Sequence, residues 1–303
     1  MKKIYTILVA LAVAVGAYAQ EEESGVSFAH EYGMTLQTTY LWRGQFLGGL
    51  TFEPDVCIGY DGEKTSLRVG ACADLSASDW KFVKGKEWYP DGFGGEVNPN
   101  TYFNPELDLY ANFSFLGVGV NFTHYQYWDY TKSGKYEPWH QGEVGIGYDF
   151  SYFFEKVNLH INWYTILYGT DHNYEYEELP AEQQTDGVLF EETSAKRAYS
   201  SYLEVGYMQP LPLDMSLALN VGMSPWRSDD VYMNTKFAVV NVHLRYEKCW
   251  SIENICDLTL FAETAVNPDM LSRDKHTAYV NAAGAEKVCN QSWIGNIGFS
   301  VWF

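Results

Sequence analysis

Three features of the sequence predict an all-β fold, a transmembrane antiparallel β-barrel of about twelve strands. From residue 33 to the C-terminus, segments of about ten residues alternate apolar with polar or small side chains, the period of strands with one apolar face. Beyond the N-terminal leader no run of about 18 apolar residues occurs, so no helix could cross a bilayer and only a closed barrel could. The chain also ends in an amphipathic strand, residues 292–303, with Trp293, Ile297, Phe299, Val301 and Phe303 on one face and Asn296, Gly298 and Ser300 on the other. An open edge of that kind pairs with other chains, so it is expected to close against the first strand.

Residues 1–19 carry Lys2 and Lys3, an apolar run and Ala17-Tyr18-Ala19, the pattern of a cleaved secretory signal. Residues 20–32 then read as a short periplasmic lead and 33–303 as the barrel, in the outer membrane of a Gram-negative bacterium. The 17% aromatic content, with 24 Tyr, fits two interfacial girdles. The net charge is -19, and the two leader lysines make it -21 after cleavage. Nucleic acid is therefore excluded as a partner, and small polar or cationic solutes are favoured. No cofactor or metal motif is present: the five Cys form no C-x-x-C pair, and the acidic stretch 169–196 lacks calcium-loop spacing. Cys249 and Cys256 flank a short segment that a disulfide could staple, whereas Cys57 and Cys72 read as small strand residues that do not pair.

The first strand, about 33–42, places Met34, Leu36, Tyr40 and Trp42 outward and breaks at Arg43-Gly44. The second, 50–60, alternates Leu50, Phe52, Val56 and Ile58 with Glu53, Asp55 and Cys57, and Pro54 predicts a bulge or strand end. Asp61-Gly62 reads as a two-residue hairpin turn that sets Asp55 against Arg68, an expected ion pair. Strands three to eleven follow the same alternation, with Val240 and Val242 outward in the tenth. Connections after strands two, four, six, eight and ten are short, and those after three, seven and eleven are long. Short periplasmic turns and long external loops at 76–104 and 169–196 follow from that.

The terminal strand resembles the C-terminal strand of bacterial outer-membrane proteins at Ile297, Phe299, Val301 and Phe303, which implies recognition by the barrel-assembly machinery. Tyr40-Leu41-Trp42-Arg43-Gly44, followed by Gly48-Gly49, resembles a family of exported bacterial barrels that carries Tyr-x-Trp-Arg-Gly or Tyr-x-Phe-Arg-Gly at the end of its first strand. That resemblance covers the first hairpin and brings no activity with it. The strand count is similar to that of twelve-stranded nucleoside channels and outer-membrane lipid hydrolases, a likeness of fold only.

Period-two counting turns ten acids inward, Glu53, Asp55, Asp74, Glu106, Asp108, Glu143, Asp149, Glu204, Glu247 and Glu263, against Arg43, Arg68 and Arg245. Three bases cannot neutralise ten acids, so the lumen is expected to hold cations or solvated carboxylates. Arg43 is placed at the external mouth, either facing an anionic group or pairing locally over Trp42. Inward His160 and His243 have no Ser tied to them by spacing, so no catalysis is expected. The expected function is a passive outer-membrane channel of modest bore for cations or small polar solutes, in contact with outer-membrane lipid. The alternatives are a closed barrel that displays its loops and, third, a lipid-modifying enzyme.

Overall fold

The computed structural model describes residues 27–77, 82–86, 103–130, 136–178, 180, 190–232, 234, 236–253, 255–269 and 290–303. The predicted leader, the start of the lead, Cys289 and the interiors of the first and last long loops lie outside the described residues. The strands are β1 (Ser27–Gln37), β2 (Tyr40–Trp42), β3 (Gln45–Gly48), β4 (Leu50–Asp61), β5 (Thr65–Ala77), β6 (Phe82–Lys86), β7 (Phe103–Phe115), β8 (Val118–Tyr130) and β9 (Tyr136–Asp149). They continue with β10 (Leu159–Gly169), β11 (His172–Glu178), β12 (Phe190–Arg197), β13 (Ser201–Leu211), β14 (Met215–Ser224), β15 (Ala238–Ile252), β16 (Cys256–Val266) and β17 (Asn290–Trp302).

Twelve of these close a single antiparallel wall in the order β1-β4-β5-β7-β8-β9-β10-β13-β14-β15-β16-β17, and β17 pairs back onto β1. The ring leaves no unpaired edge along the closing register, Gly33↔Trp302 to Gln37↔Gly298. Its outward side chains are apolar and exposed, among them Val56, Ile58, Phe113, Ile146, Leu260 and Ile297. A closed wall with an apolar exterior satisfies every backbone group internally, which is what a bilayer demands, and the protein is an outer-membrane β-barrel. Both chain ends of the wall lie at the end that carries the short turns. The long connections lie at the other, the loop end.

Several expectations for the wall are corrected. The first strand starts at Ser27 among the described residues, so 27–32 belong to the wall and pair with β4. The turn after β4 is wider than Asp61-Gly62: Gly62 N donates to Thr65 O at 2.8 Å, and Tyr60 opposes Leu67. That shift puts Asp55 opposite Cys72 and Gly59 opposite Arg68, so the Asp55–Arg68 pair does not form. Arg68 instead grips Asp61 with two bonds of 2.9 and 2.7 Å and reaches Glu31 at 2.9 Å. Cysteines introduced at Asp61 and Ser66 should therefore crosslink on mild oxidation, because directly opposed residues satisfy disulfide geometry. A crosslink between positions 55 and 68 in place of it would refute this register.

Pro54 neither bulges nor ends the strand: β4 runs through it, and the ladder to β5 resumes in unchanged register after the gap between Phe52 and Asp55. Val240 lies at a register shift between β14 and β15, and it turns inward to full burial. Cys57, Cys72, Cys249 and Cys256 are free thiols; Cys249 opposes Thr259 while Cys256 opposes Ile252, so the staple does not form.

Candidate functional site in the lumen

At Thr38 the chain leaves the wall and turns inward, where a continued strand was expected. Asn296 of β17 holds the departure point. Its Oδ1 accepts from Thr39 N at 3.0 Å and Thr38 Oγ1 at 3.1 Å, and its Nδ2 donates to Gln37 at 2.6 Å and Glu263 at 2.7 Å. The edge of β17 that β1 abandons is taken over by β6, paired from Asn290↔Lys86 to Gly295↔Phe82.

The departing segment forms the hairpin β2–β3 around Arg43 (φ 47°) and Gly44 (φ 79°), two successive left-handed residues as a tight hairpin turn requires. A Cβ at Gly44 would sit 2.5 Å from the carbonyl oxygen of Val240, so only glycine lets the tip seat against β15. The Arg43 guanidinium donates to both oxygens of Glu143 on β9, at 2.6 and 2.7 Å, and to the Tyr232 hydroxyl at 2.8 Å. It lies over the rings of Trp42, Tyr164 and Tyr202 at 4.7, 4.3 and 4.8 Å. Arg43 therefore does not stand at the mouth. It pins a hairpin across the lumen, and its partner is a hundred residues away in sequence. Tyr40 and Trp42, expected outward, go inside with it.

From the loop end, residues 225–232 and 234 close over the hairpin. Gln45 Nε2 donates to Val231 O at 2.9 Å, and Trp42 stacks parallel to Tyr232, with centroids 5.9 Å apart. Val231 and Tyr232 join Ile166, Tyr202 and Val240 in a buried apolar cluster inside the barrel. The acidic stretch 169–196, expected as a solvated loop, contains the ribbon β11–β12. Asp230 accepts from His172 N at 2.8 Å and Asp229 from Tyr174 N at 2.9 Å, tying the ribbon to the closing segment. Burial raises the Asp171 and Asp230 carboxyls above their usual range, and donors such as Ser200 to Asp171 and His172 N to Asp230 only partly offset it.

The inward acids separate into two groups. On the β9 to β17 side each has a partner: Glu143 has Arg43, Glu204 has His160 at 3.5 Å, Glu263 has His243 at 3.1 Å and Arg245 at 3.2 Å, and Glu247 has Arg245 at 3.1 Å. Asp149 sits at the turn end and caps a short 3-10 turn by accepting from Ser151 N. On the β4, β5 and β7 side, Glu53, Asp55, Asp74 and Asp108 make no ion pair among the described residues. Carboxylate oxygens of Asp74, Glu106 and Asp108 lie within 4.8 Å of one another, and the Tyr40 hydroxyl approaches Asp74 and Glu106 at 3.4 and 3.5 Å. Glu53 is held by Gln37 Nε2, and Asp55 accepts from the Tyr110 hydroxyl at 2.7 Å.

Two cavities lined by described residues open in the lumen. One of about 480 Å³ sits under the hairpin, between Tyr40 and Trp42 above and Arg68 and Asn112 below. The second, about 590 Å³, opens at the turn end between Ser66, Ser114 and His160. Counting by twos along the wall places Asn296 on the polar face of the last strand but does not find Glu31, Gln37, Tyr40 or Tyr232, which organise this interior with it. The one signal available for the hairpin was Arg43-Gly44, a dipeptide suited to a two-residue turn.

The terminal residues lie in the wall: Ile297 and Phe299 point outward from β17, next to Val301 and, just past the strand, Phe303. No protein-family model and no curated protein matches the chain. Among solved structures, the chain is similar to an outer-membrane channel from Pseudomonas putida F1, at 8% identity and TM-score 0.41 over 93% of this chain and 96% of that one. It is also similar to the translocator domain of the autotransporter NalP from Neisseria meningitidis, at 11% identity and TM-score 0.39, covering 98% and 94%. A third is outer membrane phospholipase A from Escherichia coli, at 11% identity and TM-score 0.35, covering 90% and 92%. Likeness at that level lends neither substrate nor activity, and the barrel assignment rests on the closed ladder.

Proposed function

We propose that the protein is a passive channel for small cations and small polar solutes, with an eccentric path along β4, β5 and β7. The observation that carries this reading is the split among the inward carboxylates. Acids facing the hairpin's landing site are matched by Arg or His, while Glu53, Asp55, Asp74 and Asp108 have no basic partner among the described residues, and Asp55 and Asp108 border the cavity under the hairpin. Walls of low dielectric focus such charge, which concentrates cations and repels anions.

Reversal potentials across a KCl gradient in planar bilayers test it. Cation selectivity is expected, fading as salt rises, since the screening length falls from about 10 Å at 0.1 M to about 3 Å at 1 M. Asp74→Asn with Asp108→Asn should weaken the selectivity; anion selectivity of the unaltered protein would refute the reading.

A second reading is a closed barrel that presents the β11–β12 ribbon to a partner, and the apolar cluster filling the loop-end lumen favours it. Absence of any steady current would decide for it. No catalytic step is part of the proposal.

A further inference from the structure

We propose that the cavity under the hairpin is a binding site for an organic ammonium ion, a cationic head carried on an aromatic or aliphatic tail. The inference deepens the channel reading by naming the solute class that the lumen holds.

Its walls combine two chemistries that a path for bare ions does not need together. Tyr40, Trp42, Tyr110, Tyr125 and Trp302 supply aromatic surface, and Asp55 and Asp108 supply carboxylates. Arg68, the one basic residue in the wall, is already committed to Asp61 and Glu31, so it offers little to an anion. Asp55 has a hydroxyl donor in Tyr110 but no cation. Asp108 also lines the cavity, and its Oδ1 is buried with no hydrogen-bond partner among the described residues, a costly state.

The volume, about 480 Å³, lies within the range of small-molecule sites and exceeds what a hydrated metal ion fills. An alkylammonium brings N–H donors for the two carboxylates, and its charge is also attracted by the faces of Trp and Tyr rings. A neutral tail of the same shape has only the rings. A carboxylate of the same shape meets Asp55 and Asp108 with like charge.

Calorimetric titration of the detergent-solubilised full chain with phenethylammonium tests the proposal, with 2-phenylethanol and phenylacetate as isosteric comparisons. Saturable binding of the ammonium is expected, at least tenfold tighter than either comparison. Asp55→Asn with Asp108→Asn should weaken it at least tenfold, while heat-modifiable migration on gels shows that the barrel still folds. Equal binding of 2-phenylethanol, or ammonium binding unchanged in the double variant, would overturn the site, as would no binding at all. Because binding is read without current, the two readings fail separately. A protein that binds the ammonium but never conducts keeps the site and loses the channel, and one that conducts cations without binding it does the reverse.

Discussion

Replacing residues 40–48 by a short Gly-Ser-Gly link should raise single-channel conductance several-fold while leaving the barrel folded. The ends to be joined are already neighbours, since Gln37 opposes Thr51 in the β1–β4 ladder, so the link needs no new geometry. What is removed is the one segment among the described residues that crosses the lumen, together with Trp42 and Arg43, around which Tyr164, Tyr202 and Tyr232 pack. A barrel of about twelve strands is wider than the roughly eight that side chains alone can fill, so the hairpin is what makes this bore narrow. Unchanged conductance in the excised variant, with normal folding, would show that the constriction lies elsewhere.

The second large effect is on stability. Glu143→Ala leaves the Arg43 guanidinium, only 11% exposed, without its carboxylate, and a buried charge stripped of its partner costs about 3–5 kcal/mol. Replacing both, Arg43→Met with Glu143→Leu, removes the charge along with the partner and should recover most of that loss. Urea midpoints of the folded, fast-migrating gel band measure both variants. If the double variant is as unstable as Glu143→Ala alone, the pair is not the fastening that the geometry describes.

The wall was legible in the sequence because its physics is local. Each strand must present apolar side chains to one face, so Leu258, Leu260 and Ala262 can be read without knowing their neighbours. Register is not local. The Asp61-Gly62 dipeptide suggested a tight turn, but Thr65 O accepts from Gly62 N, and the wider turn moved Arg68 from Asp55 to Asp61. Alternation also cannot tell a strand that stays in the wall from one that turns into the lumen. Tyr40 and Trp42 kept the outward phase of Met34 and Leu36, yet the chain had already left at Thr38. The acids of the candidate site were individually visible for the same local reason. Their sorting into matched and unmatched sides was not, since it depends on where Arg43 lands and on His160 and His243 meeting Glu204 and Glu263 across strands.

The departure of β1 at Thr38 also shapes how the barrel fails. It leaves the closing seam with the five ladder pairs from Gly33↔Trp302 to Gln37↔Gly298 and flanking backbone bonds between Tyr32 and Phe303 and from Thr38 to Ile297, whereas β5 and β7 share an uninterrupted ladder from Thr65↔Phe115 to Ala77↔Phe103. The seam joins the two ends of the chain, so its closure carries the largest loop entropy in the molecule and its bonds form last. Amide exchange should start there, at Met34 and Leu36, ahead of the β5–β7 wall. Asn296 then acts as a rivet at the top of a short zip: cutting it to Ala would let the wall part sideways between first and last strand, admitting lipid to an acidic interior that the rest of the fold keeps from it.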